Sequence, residues 1–168
     1  DVDRIIAQLY SINGVAYGSA SEANKDAWLV DNADRVLFGA AKSNNASNDH
    51  SASLANIDAT NDKLTPDALS LMKRIALSAN PKLRPIRVAG KNKRYFVVFA
   101  HPLAFRDLKT NPTMVQAQRE VQLTEQNNKL FQGGDLEWDG MIIHEVDDMT
   151  TLAGVGNSGI DVGGVFLC

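Results

Sequence analysis

The sequence has very little cysteine, little net charge and no long apolar run. Cys168 is the only cysteine among the 168 residues, so no disulfide can form within the chain. A domain of this size folds without a disulfide or a metal, and one cysteine is compatible with a reducing compartment. The net charge of −3 argues against general affinity for nucleic acid. No apolar run approaches the roughly 20 residues that span a bilayer, so we expect no membrane partner.

Motifs that mark common enzyme and cofactor sites are also missing. The chain has no phosphate-binding loop, no nucleophile elbow, no helical two-histidine zinc motif and no calcium-loop spacing. The glycines near residues 154–156 and 163–164 are not followed by a helical pattern, so they do not indicate a phosphate cradle. We therefore predict no catalytic residue, no cofactor and no metal, and we do not expect an enzyme.

Helical and strand-like patterns alternate irregularly along the chain. Apolar residues at helical spacing predict helices at residues 2–10, at about 22–37, from Pro66, from Pro102 to about residue 108, and from Pro112. Strand-like segments flank the turn signals at residues 90–92 and 139–140, which predicts two hairpins. Residues 147–164 are rich in Gly, Asp and Thr and predict a loop. Hairpins mixed with helices favour an α+β fold over a regular βαβ repeat.

A long polar segment separates the first helices from the rest. Twelve of the twenty residues 43–62 are Ser, Asn or Asp, whose side chains compete with regular secondary structure and favour turns. We expect a surface loop here. The organisation predicted is a helical portion at 1–63, which contains the long polar loop 43–62, and an α+β portion at 64–168.

The most informative segment is Arg94-Tyr-Phe-Val-Val-Phe-Ala-His-Pro-Leu-Ala-Phe-Arg106. Its aromatic and β-branched residues predict a strand that is covered on both faces. Pro102 suits the first position of a helix, where the missing N–H costs nothing. A buried strand is therefore predicted to lead into a helix almost without a loop, with His101 at the joint.

Three histidines are the candidate chemical groups. His50 lies in the polar segment, where we expect a solvated side chain. His101 has no adjacent Ser or Cys nucleophile, so helix capping or packing is favoured over a role as general base. The cluster His144–Asp148 is the densest set of possible metal ligands, but His144 and Glu145 would point to opposite faces of a strand. A solvated strand end is therefore favoured there.

A basic hairpin is the strongest charge feature. Residues 82–94 contain six lysines and arginines and no acid. This pattern suits a contact with nucleic acid or an acidic neighbour, or a strand edge that charge protects from aggregation. The candidate subunit-interface or DNA-facing residues are Arg84, Arg87, Lys91, Lys93 and Arg94.

The order and spacing of several motifs resemble those of a known family. These motifs are Asp62-Lys-Leu-Thr65, the segment 94–106 with Asp107-Leu108, Asn128-Lys-Leu-Phe-Gln-Gly133, and Leu136-Glu-Trp-Asp-Gly140-Met-Ile-Ile-His-Glu145. From about residue 19 to 167 the chain is similar to the major capsid proteins of tailed bacteriophages, in the branch named for N-four-like phages.

The resemblance implies a Hong-Kong-phage-type capsid fold. Residues 22–37 would be the spine-like helix of a peripheral domain, and residues from about 65 to 146 would supply much of an axial domain. The subunit would assemble with itself into hexamers and pentamers, as a virion shell around double-stranded DNA, with a scaffold as a possible further partner. It would be made in the cytoplasm of a bacterial host, from a phage or prophage gene.

Two further expectations follow from the chain ends. Both ends suggest truncation, because residue 1 is Asp and the last residues resemble a strand just beginning. Such a fragment alone is expected to be monomeric or to misassemble.

Two alternative functions are kept beside the capsid interpretation. They are a small α+β enzyme that uses His101 or the His144–Asp148 cluster, and a nucleic-acid-binding module that uses the hairpin 82–94.

Overall fold

The chain folds into two compact units. The computed structural model describes residues 11–87, 94–124, 131–132 and 135–168, so the helix predicted at 2–10 lies outside the described residues. The first unit holds the described residues as far as Asp62 together with Thr151–Val162, and the second holds Lys63–Thr150 and Gly163–Cys168. The predicted second portion, 64–168, therefore contains a stretch that packs with the first unit.

The first unit opens with a small hairpin and a helix. Strands β1 (Ser11–Ile12) and β2 (Val15–Ala16) pair in antiparallel fashion. Helix α1 (Glu22–Asn32) follows, and the Ser21 hydroxyl caps it by accepting from the backbone N–H of Asn24. The prediction of a helix as far as residue 37 was wrong. The helix ends at Asn32, whose carbonyl accepts from the Arg35 N–H in a closing turn.

The polar segment 43–62 is mostly turns and irregular backbone, as predicted for a loop, but it also contains a helix and buried side chains. It contains helix α2 (His50–Ala55), which the Asp49 carboxylate caps by accepting from the Ala52 N–H at 2.8 Å. The Ser53 hydroxyl is buried and accepts from the Ala46 N–H. The many Ser, Asn and Asp side chains thus satisfy the backbone of a compact segment instead of exposing it to water.

A small apolar core holds the first unit together. It is formed by the buried side chains Leu29, Phe38, Leu54 and Ile57. Leu152, Val155 and Val162 pack against these four residues from the distant stretch of the unit. The Asn157 N–H also donates to the Ile57 carbonyl at 2.8 Å. This packing explains why Thr151–Val162 belongs to the first unit.

The second unit begins with helix α3 (Pro66–Ser78). The helix starts at Pro66, as predicted, and the Thr65 hydroxyl caps it by accepting from the Ala68 N–H. Helices α4 (Pro102–Thr110) and α5 (Pro112–Thr124) lie later in the same unit. Among the described residues, no helix is both long enough and apolar enough to cross a bilayer.

A mixed sheet forms the centre of the second unit. Its strands are β3 (Ile86–Arg87), β4 (Arg94–Ala100), β5 (Phe131–Gln132), β6 (Asp135–Trp138), β7 (Met141–Glu145) and β8 (Val165–Leu167). The order is β3-β4-β7-β6-β5, and β8 also pairs with β4. Strands β4 and β7 are parallel, whereas the other pairs are antiparallel. The predicted α+β class is confirmed.

Strand β4 is less symmetrically buried than predicted. Phe96, Val98 and Ala100 are buried on one face of the strand. On the other face Tyr95 and Val97 are half-buried, and only Phe99 is fully covered. The expectation of cover on both faces is therefore correct only near the end of the strand that leads into α4.

Candidate assembly surface

The basic hairpin forms an exposed edge of the sheet. Strands β3 and β4 pair with Ile86 opposite Tyr95 and Arg87 opposite Arg94. Arg84, Arg87 and Arg94 are exposed, whereas Lys91 and Lys93 lie outside the described residues. Like charges directly opposite each other destabilise a strand pair. The Arg87–Arg94 pair therefore favours a partner that brings negative charge to this edge.

Within the described part of the chain, no carboxylate forms an ion pair with this edge. Among the residues that the structure describes, the ion pairs are Lys25–Glu22, Arg35–Asp34, Lys73–Asp139 and Lys109–Glu145. None of them involves Arg84, Arg87 or Arg94. The three guanidinium groups are exposed and can meet the carboxylates of a partner.

Exposed apolar side chains accompany the cations. Ile86 is 55% exposed and Leu83 is 39% exposed. The Leu83 N–H donates to the Ala76 carbonyl at 3.1 Å, which holds the Leu83 backbone at the last turn of α3, where Leu77 is also exposed. We define the basic face as Leu77, Leu83, Arg84, Ile86, Arg87 and Arg94. The apolar part was missed in the sequence, although Leu83 and Ile86 alternate there with the cations.

His101 caps a helix, as predicted. Its Nδ1 accepts from the Leu103 N–H at 3.1 Å at the start of α4, and the ring is buried. Burial lowers the pKa of His101, and a hydrogen bond to the Met149 backbone partly opposes this effect. The Gly163 backbone lies so close that a Cβ there would stand 2.8 Å from the His101 ring. The ring is thus held in place as a structural joint.

The His144–Asp148 cluster does not converge. The His144 ring stacks on Phe99 with a centroid distance of 6.0 Å, whereas the Glu145 carboxylate pairs with Lys109 at 3.3 Å. Asp147 and Asp148 are exposed beyond the end of β7. In the described part of the chain, no three His, Cys, Asp or Glu side chains lie close enough to hold a metal ion.

His50 is buried, so the prediction of a solvated side chain was wrong. Its Nε2 lies 2.9 Å from the Tyr17 hydroxyl, and its ring meets Phe38 edge-on. The His50 N–H donates to Asp26 at 2.8 Å at the start of α2. Burial lowers the pKa of the His50 ring, and the nearby Lys25 lowers it further. His50 therefore helps to hold the segment 43–62 in place.

Comparison with known proteins gives one family and two solved structures. The family model described as phage capsid protein matches residues 3–159. The solved capsid chain of cyanophage Pam1 is 37% identical over 88% of this chain and 42% of that chain, with a TM-score of 0.74. The capsid chain of Ralstonia phage GP4 is 17% identical over 80% of this chain and 36% of that one, with a TM-score of 0.54. No curated protein matches.

The matches cover most of the present chain but a smaller part of the solved capsid chains. The chain spans less than half the length of either solved capsid chain. The match at 17% identity shows a shared fold alone. The match at 37% identity covers most of the present chain, so it extends over parts of both units.

Proposed function

The chain belongs to the phage capsid protein family, and on that premise we propose that it is part of a major capsid subunit whose copies assemble into an icosahedral virion shell. The shell would be built from hexamers and pentamers and would enclose double-stranded DNA. We also propose a scaffold as a further partner during assembly. We propose a structural role without catalytic residues, in a phage or prophage whose subunits are made in the bacterial cytoplasm.

The observation that carries this proposal is the match to the Pam1 capsid at 37% identity and a TM-score of 0.74. The predicted α+β capsid fold is confirmed by that match. We further propose that the first unit is a peripheral domain and that the second unit supplies much of an axial domain. The two-unit division of the chain supports this assignment.

We propose that the basic face is a contact between subunits. The opposed Arg87 and Arg94 support this role, because a neighbouring carboxylate would relieve their repulsion. The exposed Leu83 and Ile86 support it as well, since apolar side chains at the centre of a polar rim are typical of protein interfaces. Packaged DNA would use the cations alone and would leave these apolar side chains without a partner.

The test is to express the protein from its complete gene and to examine it by electron microscopy. We expect shells or capsomers of uniform size. Soluble monomers under every assembly condition would contradict the proposal. If the basic face meets DNA instead, Arg87→Glu with Arg94→Glu would abolish a DNA affinity that falls steeply with salt, and shells would still form.

A further inference from the structure

Unpaired charges of opposite sign lie at opposite ends of the sheet in the second unit. Strands β4 and β7 are parallel, so both begin at the same end of the sheet. Arg94 is the first residue of β4 and lies opposite Arg87 of β3 in the strand register. Asp147 and Asp148 follow the end of β7. Seven residues of β4 separate the two ends, a distance of about 20 Å.

At each end of the sheet, an ion pair neutralises a nearby side chain of the opposite sign. At the basic end, the one nearby carboxylate of the turn after β6, Asp139, pairs with Lys73 at 3.0 Å. At the acidic end, Lys109 pairs with Glu145 at 3.3 Å. No ion pair among the described residues involves Arg87, Arg94, Asp147 or Asp148. At the strand ends themselves, the side chains without an ion pair among the described residues are therefore the cations Arg87 and Arg94 at one end and the anions Asp147 and Asp148 at the other.

Each end also carries an exposed apolar side chain. Ile86 is exposed at the basic end, beside Arg87. At the acidic end Leu103 is 43% exposed in the first turn of α4. The Val146 N–H donates to the Ala100 carbonyl at 3.1 Å, which holds Asp147 and Asp148 beside the start of that helix. The two ends thus carry charges of opposite sign, and each has an exposed apolar side chain.

We infer that the basic end of one copy docks against the acidic end of the next, so that Arg87 and Arg94 meet Asp147 and Asp148 around Ile86 and Leu103. A contact between two different patches is heterologous and closes into a ring when the rotation allows. The inference rests on the proposed function, because that function supplies a ring of like subunits. It adds the pair of surfaces that the ring would use.

The test reverses each end separately in the protein expressed from its complete gene. The variant Arg87→Glu/Arg94→Glu has two acidic ends, and Asp147→Lys/Asp148→Lys has two basic ends. Each variant alone should lose assembly by about tenfold or more, because every contact then sets like charges together. The quadruple variant should assemble again. An equimolar mixture of the two double variants should form alternating rings, since each end then finds its opposite.

Controls separate this pairing from general effects of charge. Lys63→Glu/Arg119→Glu changes two exposed cations of the same unit that lie outside the basic face, and it should assemble as the unchanged protein does. Circular dichroism should show that all variants are folded. Assembly is measured by sedimentation velocity and electron microscopy.

Three outcomes would overturn the inference. If both double variants form normal shells, the pairing of the two ends and the subunit contact at the basic face are both wrong, whereas the proposed role as a capsid subunit stands. If the quadruple variant assembles no better than the double variants, the two ends do not meet. If the largest charge-dependent species is a dimer, the contact is twofold and not head-to-tail. Failure of the unchanged protein to form any shell or capsomer would count against the proposed function itself.

Discussion

At the scale of single residues, Asp62 organises the polar segment of the first unit. Its carboxylate accepts from the Ala40 N–H and the Asp58 N–H, each at 2.9 Å, and from the Asn44 side-chain amide at 2.7 Å. Gly39 permits this arrangement in two ways. Its φ is +60°, and a Cβ at that position would overlap the Asp62 carboxylate. One side chain therefore joins the two ends of a segment of more than twenty residues.

Replacement of Gly39 tests this arrangement. Gly39→Ala should lower the free energy of unfolding by about 3 kcal/mol, because strain at positive φ adds to displacement of Asp62. Gly159→Ala is a matched control, since Gly159 has a φ of +76° but open space around its Cβ position. The control should cost about 1 kcal/mol from backbone strain alone. Urea unfolding measures both, and equal losses would show that contact with Asp62 is unimportant.

His50 should make the first unit sensitive to acid. Burial lowers its pKa below that of the unfolded chain, so the unfolded state takes up a proton more readily as the pH falls. The contribution of His50 to stability is therefore complete above the unfolded pKa of about 6.5 and decreases below it. Glu22, Asp26 and Asp49 raise the pKa of the ring without cancelling the effect of burial and Lys25.

The corresponding variant is His50→Gln, which keeps a polar side chain but does not titrate in this range. We expect thermal unfolding of the unchanged protein to shift to lower temperature between pH 7.5 and pH 5. The shift should be smaller in His50→Gln. His101→Gln provides a comparison from the second unit, where burial also lowers the pKa of the histidine. An identical pH dependence with and without His50 would contradict the prediction.

At the scale of elements, strand β4 with its His-Pro joint is the part of the fold that the sequence predicts best. Aromatic and β-branched residues followed by Pro102 are local signals, and the capping by His101 is a local contact. The hairpin at Asp139-Gly140 is local as well, and it was predicted correctly. The parallel pairing of β4 with β7 joins segments about forty residues apart. No local pattern indicates it, because spatial pairing depends on how the whole sheet packs.

The two faces of β4 should respond differently to truncation. Val98 is fully buried between β7 and β8, whereas its neighbour Val97 is half-buried on the opposite face. Val98→Ala should cost about 2–3 kcal/mol of unfolding free energy, since the cavity adds to the lost burial. Val97→Ala should cost about 1 kcal/mol or less. Chemical denaturation compares them, and equal costs would show that both faces are equally covered.

The polar segment shows why its helix was missed. Ser, Asn and Asp favour turns by bonding to the backbone, and that same chemistry caps α2 through Asp49 and anchors Ala46 through Ser53. The available signal was the spacing of Leu54 and Ile57, three residues apart, which places both side chains on one side of a short helical turn. Their apolar partners come from Leu152 and Val162, and that contact cannot be seen in local sequence.

At the scale of the whole molecule, the chain passes between its two units three times, after Asp62, after Thr150 and after Val162. Backbone pairing of Leu152 with Val162 closes the segment Thr151–Val162 on itself, and apolar packing holds this segment against the core of the first unit. The two tryptophans fall one in each unit. Trp28 packs against the core of the first unit, and Trp138 lies on β6 of the second. Each unit therefore carries its own fluorescent probe.

The two tryptophans can test whether the segment Thr151–Val162 belongs to the first unit. Leu152→Ala removes a side chain that packs against the Leu29 core, so it should destabilise the first unit by about 2 kcal/mol. With Trp138→Phe as background, the unfolding transition reported by Trp28 should move to lower denaturant. With Trp28→Phe as background, the transition reported by Trp138 should move much less. Equal shifts would mean that both units unfold in one cooperative transition. A larger shift at Trp138 would mean that the segment Thr151–Val162 belongs to the second unit.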